Sequence, residues 1–86
     1  MPKTIFTGGN RAVVEVLKAA RLEAGLTQAE LAARIERDQS HVSLIEGSQR
    51  RLDLVEFHQI ARALRRDPVE LFAAISAALD SPQASS

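Results

Sequence analysis

Helix-start signals recur along this 86-residue chain at intervals that leave room only for short helices. Thr27, Asp38, Asp53 and Asp67 are each followed by an apolar-periodic segment and are candidate N-caps. Thr27 and Asp53 are each followed three residues later by a glutamate, which is the capping-box pattern. With only three Phe and no Trp or Tyr, the core must be aliphatic. The sequence therefore predicts an all-α protein.

The spacing of apolar residues between these signals predicts five helices. They cover residues 11–24, 28–35, 39–46, 54–64 and 68–79. Asn10 is the predicted N-cap of the first helix, and Gly47 is the predicted stop of the third. We interpret residues 11–79 as one domain, residues 1–10 as an N-terminal arm, and the polar residues 80–86 as a disordered tail.

Several classes of function find no support in the sequence. The chain has no cysteine, and neither His41 nor His58 has carboxylates at metal-ligand spacing, so we predict no metal and no cofactor. No nucleophile with a histidine partner and no phosphate-binding glycine loop indicates an enzyme. Because the chain has neither a signal-peptide pattern nor an apolar run near the roughly 20 residues of a membrane helix, we expect a cytoplasmic protein.

The second and third predicted helices are separated by only three residues, 36–38, which is the spacing of a helix-turn-helix motif. If Val42 and Ile45 face the core, the other side of the third helix carries no charge. Small polar side chains, an amide and an apolar side chain are suited to reading base edges of double-stranded DNA. The candidate base-reading residues are Gln39, Ser40, His41, Ser43 and Leu44. Alternatively, the first two are merely solvated and Leu44 packs on the first or fourth helix.

Residues on either side of this helix could position it on the DNA backbone. The candidate phosphate contacts are Gln28, Arg37, Arg50 and Arg51. Gln28 opens a helix whose N-terminus offers backbone N–H groups, and Arg50 and Arg51 form a basic pair just after the third helix. The alternative for each arginine is an ordinary solvated charge. The zero net charge of the chain argues against indiscriminate coating of nucleic acid.

Four sequence blocks resemble the Cro/CI-type, or XRE, regulators: LTQAELAARI (26–35), QSHVSLIEG (39–47), RRLDLVEF (50–57) and IARAL (60–64). The resemblance spans residues 11–72 and implies a five-helix lambda-repressor-like domain with a helix-turn-helix formed by helices 2 and 3. It also implies a regulator, usually a repressor, that binds a palindromic operator as a homodimer.

The chain departs from this family at three positions. Glu36 stands where the turn usually has glycine, which suggests either a reshaped turn or a longer second helix. Ser48 follows Gly47 where the family tends to have a basic residue and then glycine, and Leu44 replaces a residue that is often basic.

Arg21 and Glu46 are two charges beside positions expected to face inward. In the repressors that the chain resembles, an arginine and a glutamate at these positions pair inside the domain. The resemblance therefore implies a mostly buried ion pair that joins helix 1 to the C-terminal end of helix 3.

The fifth predicted helix is apolar on more than one face, since nine of its twelve residues are Val, Leu, Phe, Ala or Ile. We predict a dimer interface formed by Phe72, Ile75 and Leu79. Alternatively, the N-terminal segment with Ile5 and Phe6 covers this face within one subunit. An apolar face also fits a protein-binding function, such as an antitoxin that neutralises a toxin or a coregulator that docks on polymerase.

Overall fold

The computed structural model describes residues 9–80, and this part of the chain is all-α, as predicted. Its five helices are α1 (Gly9–Glu23), α2 (Gln28–Arg34), α3 (Gln39–Glu46), α4 (Leu54–Ala63) and α5 (Pro68–Leu79). Most of the predicted N-terminal arm, with Ile5 and Phe6, and most of the predicted tail lie outside the described residues.

Side chains that bond to free backbone N–H groups fix the start of three helices. Both predicted capping boxes form: the Glu30 N–H donates to Thr27 at 3.0 Å and the Thr27 N–H donates back to Glu30 at 2.8 Å. The Glu56 N–H donates to Asp53 at 2.7 Å in the same arrangement before α4. Asp67 accepts from the N–H of Val69 at 2.9 Å, whereas Asp38 makes no capping bond. These caps are the reason that short helices start at the predicted residues.

Helices α1 to α4 all end in the same way, with one residue in the left-handed conformation followed by a backbone bond that reaches back five residues. The left-handed residues are Gly25, Glu36, Ser48 and Arg65, with φ of 76°, 59°, 60° and 59°. The turn at Glu36 is therefore neither reshaped nor replaced by a longer helix. Helix α3 ends at Glu46 with Gly47 as its C-cap, as predicted, but Gly47 has a φ of −88° and the left-handed residue is Ser48.

The helices enclose one aliphatic core, in which α1 packs on α5 and α3, α2 packs on α3 and α4, and α4 packs on α5. The most deeply buried large side chains are Leu71, Ile75 and Val42. Helix α1 includes Gly9, two residues before the start that capping by Asn10 would allow, so Asn10 lies inside the helix and that prediction is wrong. The Asn10 side chain instead donates to the Ser48 hydroxyl at 3.1 Å, which connects α1 to the loop after α3.

Candidate DNA interface

Helix α3 is oriented by two core residues, Val42 and Ile45, which are 2% and 3% exposed. Because successive residues of a helix are rotated by about 100°, the other side of α3 then faces solvent. The exposed side chains on this outward face are Gln39, Ser40, Ser43 and Leu44. Leu44 is 41% exposed and does not belong to the core. The outward face thus presents an amide, two hydroxyls and an apolar side chain, without charge.

Arg21 and Glu46 form a buried, bidentate ion pair between α1 and the end of α3. Arg21 Nε lies 2.7 Å from Glu46 Oε2, and Arg21 Nη2 lies 3.0 Å from Glu46 Oε1. A third guanidinium nitrogen donates to the carbonyl oxygen of Leu26 at 2.8 Å. The hydrogen bond to Glu46 raises the pKa of Arg21 above its ordinary value, although burial acts in the opposite direction. Glu46 is the charged residue at the C-terminal end of α3. Because its side chain is bonded to α1, it lies away from the outward face.

Gln28 belongs to this cluster rather than to the surface. Its side-chain amide nitrogen donates to Glu46 Oε1 at 3.0 Å, and the residue is half-buried. One N–H of the Gln28 amide is thus engaged within the domain, and the phosphate contact that the sequence suggested stays a prediction. Glu46 can accept this bond from Gln28 because its carboxylate has acceptor capacity left after it binds Arg21.

A second buried carboxylate, Glu56, lies at the other side of α3. Its Oε2 accepts from Arg50 Nη2 at 2.9 Å and lies 3.1 Å from His41 Nε2, although the His41 contact lacks the alignment of a hydrogen bond. Its Oε1 accepts from the Asp53 N–H at 3.3 Å. Burial acts to raise the pKa of Glu56, but the bonds from Arg50 and Asp53 and the charges of Arg50 and His41 outweigh it, so the pKa is lowered.

This arrangement corrects the position predicted for His41. Its side chain is only 13% exposed and points towards Glu56 of α4, so it is not part of the outward face. The sequence contains no signal for the Glu56 cluster beyond its capping box. A glutamate at the third position of a capping box normally faces solvent, as Glu30 does.

Three arginines flank α3 in the chain. Arg37 is exposed in the turn before the helix, and Arg50 and Arg51 are exposed in the segment after it. The Arg50 side chain is 44% exposed while it is bonded to Glu56, so part of its guanidinium group faces solvent. The basic pair Arg50 and Arg51 therefore lies after the uncharged outward face, whereas Arg37 before it stands between the exposed Glu36 and Asp38.

An apolar groove of about 450 Å³ opens between the start of α1, the start of α4 and the length of α5. Phe72 and Leu79 line it and are 49% and 40% exposed, and Phe72 meets the ring of Phe57 edge-on with centroids 6.3 Å apart. Ile75 also lines the groove but is only 2% exposed, so it offers little surface to a partner and belongs mainly to the core. It follows Leu71 by one helical turn and shares the core-facing side of α5 with it.

Two kinds of site are not found in the described part of the chain. Between residues 9 and 80, no three His, Asp or Glu side chains are close enough together to bind a metal ion, and His58 lies exposed on α4. None of the five helices combines the length and the apolar character needed to cross a bilayer.

The fold and the outward face of α3 are those of a helix-turn-helix DNA-binding domain. A family described as "Helix-turn-helix domain" matches residues 12–74. An XRE-family like protein from Pseudomonas syringae pv. tomato str. DC3000 has a similar structure, with 43% identity and a TM-score of 0.75 over 80% of this chain and 84% of that one. The chain belongs to the XRE family of helix-turn-helix transcription regulators. This is a family of DNA-binding proteins, not of enzymes.

Other solved structures are similar over the whole domain. The restriction-modification controller protein C.Esp1396I, in a tetramer bound to its natural 35 base-pair operator, is 26% identical with a TM-score of 0.78, over 92% of this chain and 100% of that one. The clp gene regulator ClgR from C. glutamicum shares the fold at 17% identity, with a TM-score of 0.72 over 80% of this chain and 90% of that one. No curated protein sequence matches the chain.

Proposed function

We propose that this protein represses transcription by binding a palindromic operator as a homodimer, with one α3 helix of each subunit in the major groove. Two copies of a helix-turn-helix domain related by a two-fold axis can occupy successive major grooves on one side of the duplex. Occupied operators then block access to an overlapping promoter. A bacterial regulator of this kind works on the chromosome and hence in the cytoplasm.

The observation that carries the proposal is the outward face of α3. Its side chains are exposed and uncharged, whereas Glu46, Val42 and Ile45 are turned inward. Gln39 is in the first turn of α3, which is the end of a recognition helix that meets base edges. An amide there can donate to and accept from adenine at the same time. In this proposal, the exposed Arg37, Arg50 and Arg51 neutralise phosphates beside the helix.

Dimerisation is supported by the groove along α5. Leu54, Phe72 and Leu79 line the groove and are 77%, 49% and 40% exposed, which is unusual for large apolar side chains of an isolated domain. Two-fold dimers are the commonest soluble homo-oligomers, so a second copy of the same surface is the partner that we propose for this patch. The controller protein C.Esp1396I binds its operator as a tetramer, and we extend oligomeric binding to this chain by similarity.

The test is selection of bound sites from random duplex DNA, followed by affinity measurements on the selected operator. Gln39→Ala should weaken operator binding by about 1–3 kcal/mol and leave binding to random DNA nearly unchanged, because one bidentate base contact is lost. The matched control is Gln59→Ala, which removes an exposed glutamine from α4. Equal losses on operator and random DNA would show that Gln39 does not read bases.

The apolar groove also leaves room for a function in protein binding, in which this chain neutralises a toxin or docks on polymerase. The two functions differ in what occupies the groove. Co-purification of a second, unlike chain whose binding competes with formation of the homodimer would favour this alternative. A homodimer that selects a two-fold symmetric site supports repression.

A further inference from the structure

Glu56 and Glu30 hold the same position in two capping boxes, but their surroundings differ. Glu30 is exposed, and its carboxylate accepts only the Thr27 N–H among the bonds described. Glu56 is 6% exposed, and its two carboxylate oxygens have different partners. Oε1 completes the capping box with Asp53, while Oε2 faces His41 and Arg50. The contacts of Oε2 with His41 and Arg50 are not needed to start the helix.

The groups at Oε2 come from both sides of the outward face of α3. His41 is the third residue of α3, and Arg50 follows the end of that helix. A single oxygen of α4 therefore contacts the start of α3 at 3.1 Å and the segment after it at 2.9 Å. At the C-terminal end of α3, Glu46 is held by Arg21. The two carboxylates together restrain the helix at both ends relative to the rest of the domain.

We propose that Glu56 is a positioning residue for operator recognition, which sets the orientation of α3 through His41 and holds the guanidinium group of Arg50 where it meets a DNA phosphate. This inference rests on the proposed function of α3 and names the residue that aligns it. Arg50 is well placed for this role because its side chain remains 44% exposed while it is bonded to Glu56. A guanidinium group has five N–H donors, so one bond to Glu56 leaves donors for phosphate.

The direction in which operator affinity changes when Glu56 loses its charge distinguishes a positioning residue from one that acts only through its charge. A carboxylate near bound DNA repels phosphates, so removal of its charge should tighten binding if charge were its only influence. A positioning residue gives the opposite result, because base contacts and the Arg50 contact depend on geometry. If Glu56 instead competed with phosphate for Arg50, its removal would again tighten binding.

The decisive variant is Glu56→Gln, because glutamine also completes a capping box while it removes the charge that holds His41 and Arg50. The matched control is Glu30→Gln, which makes the same chemical change in the other box. We expect Glu56→Gln to bind the selected operator roughly tenfold more weakly than Glu30→Gln. We also expect its salt dependence to lose about one unit of slope, as for the loss of one phosphate contact. Circular dichroism melting sets an assay temperature at which both variants are folded.

A second variant keeps the test valid if Glu56→Gln does not fold. His41→Ala leaves the capping box and the Arg50 bond in place, so it should weaken operator binding several-fold with the salt slope unchanged. Operator binding by Glu56→Gln that equals or exceeds that of Glu30→Gln, or by His41→Ala that equals the parent, would overturn the inference alone. If the parent protein selected no duplex, the proposed function and this inference would fail together.

Discussion

At the scale of residues, α3 depends on charges that the protein does not expose. The side chains of Arg21 and Glu46 are 7% and 6% exposed, and their bidentate contact uses the geometry in which a guanidinium group binds a carboxylate best. A buried ion pair adds little net stability compared with apolar residues, but loss of one partner strands the other charge in the interior. The pair therefore constrains the position of α3 more than it stabilises the fold.

Glu46→Ala should lower the free energy of unfolding by about 3–5 kcal/mol, since it leaves the Arg21 charge buried without its partner. Operator affinity should fall as well, because the end of α3 is released, although Glu46 does not face the DNA. Chemical denaturation measures the first effect. The matched control is Glu23→Ala, which removes an exposed glutamate 3.4 Å from Arg66 and should change stability by less than about 1 kcal/mol. A Glu46→Ala variant as stable as the control would contradict the assigned role.

The two buried glutamates differ in how well the sequence indicates them. Glu46 stands next to the inward Ile45 and matches a residue of a known family, so its pairing could be anticipated. Glu56 has the same local pattern as Glu30, and local pattern cannot separate a buried capping glutamate from an exposed one. The difference arises from tertiary contacts with His41 and Arg50, which come from separate segments. For the same reason, the sequence did not indicate that His41 lies against Glu56.

At the scale of elements, the starts of α2 to α5 are the residues predicted, whereas the start of α1 and the ends of α1, α2 and α4 differ by one or two residues. The starts are specified by side chains that bond to the first backbone N–H groups, and such residues are visible in the sequence. The ends need a left-handed residue, and only Gly25 among the four is a glycine. Glu36, Ser48 and Arg65 adopt this conformation because the surrounding helices impose it, although a residue with a Cβ atom is strained there. No local signal marks these residues.

Glu36→Gly should raise the free energy of unfolding by about 0.5–1 kcal/mol. Removal of the Cβ atom relieves left-handed strain of about 1–2 kcal/mol, and the greater freedom of glycine in the unfolded chain offsets part of the gain. Thermal unfolding of the variant measures the change. Glu36→Ala is the control, since it removes the same exposed carboxylate but keeps the Cβ atom, and it should melt close to the parent. Equal melting temperatures for the glycine and alanine variants would show that the turn is not strained.

At the scale of the whole molecule, the apolar groove is a surface that a single subunit leaves exposed to solvent. The apolar character of the fifth helix was evident in the sequence, but which of its residues are buried was not. With Leu71 and Ile75 facing inward, Phe72 and Leu79 remain at the surface together with Leu54 at the start of α4. Residues of two different helices thus form the candidate interface, and the sequence could suggest only one of them.

Phe72→Glu should shift the proposed dimer towards monomer, because a carboxylate in the groove would be desolvated without a partner charge. Sedimentation equilibrium measures the mass. Val69→Glu is the control, since Val69 is 78% exposed on the same helix and does not line the groove. Leu79→Glu, at the other end of the groove, should act like Phe72→Glu. An unaltered mass for both groove variants would exclude this interface, whereas Ile75→Glu is uninformative because Ile75 is a core residue.

Asn10 lines the groove with its backbone on α1, and its side chain is bonded to Ser48 directly after α3. In the proposed dimer, a residue beside the partner subunit is therefore one hydrogen bond away from the segment that carries the arginines proposed to contact phosphates. This hydrogen bond would couple DNA binding to subunit association. A movement of Ser48 on binding DNA would reach the groove through Asn10. Thermodynamic reciprocity then requires that DNA tightens subunit association by the same factor by which association tightens DNA binding.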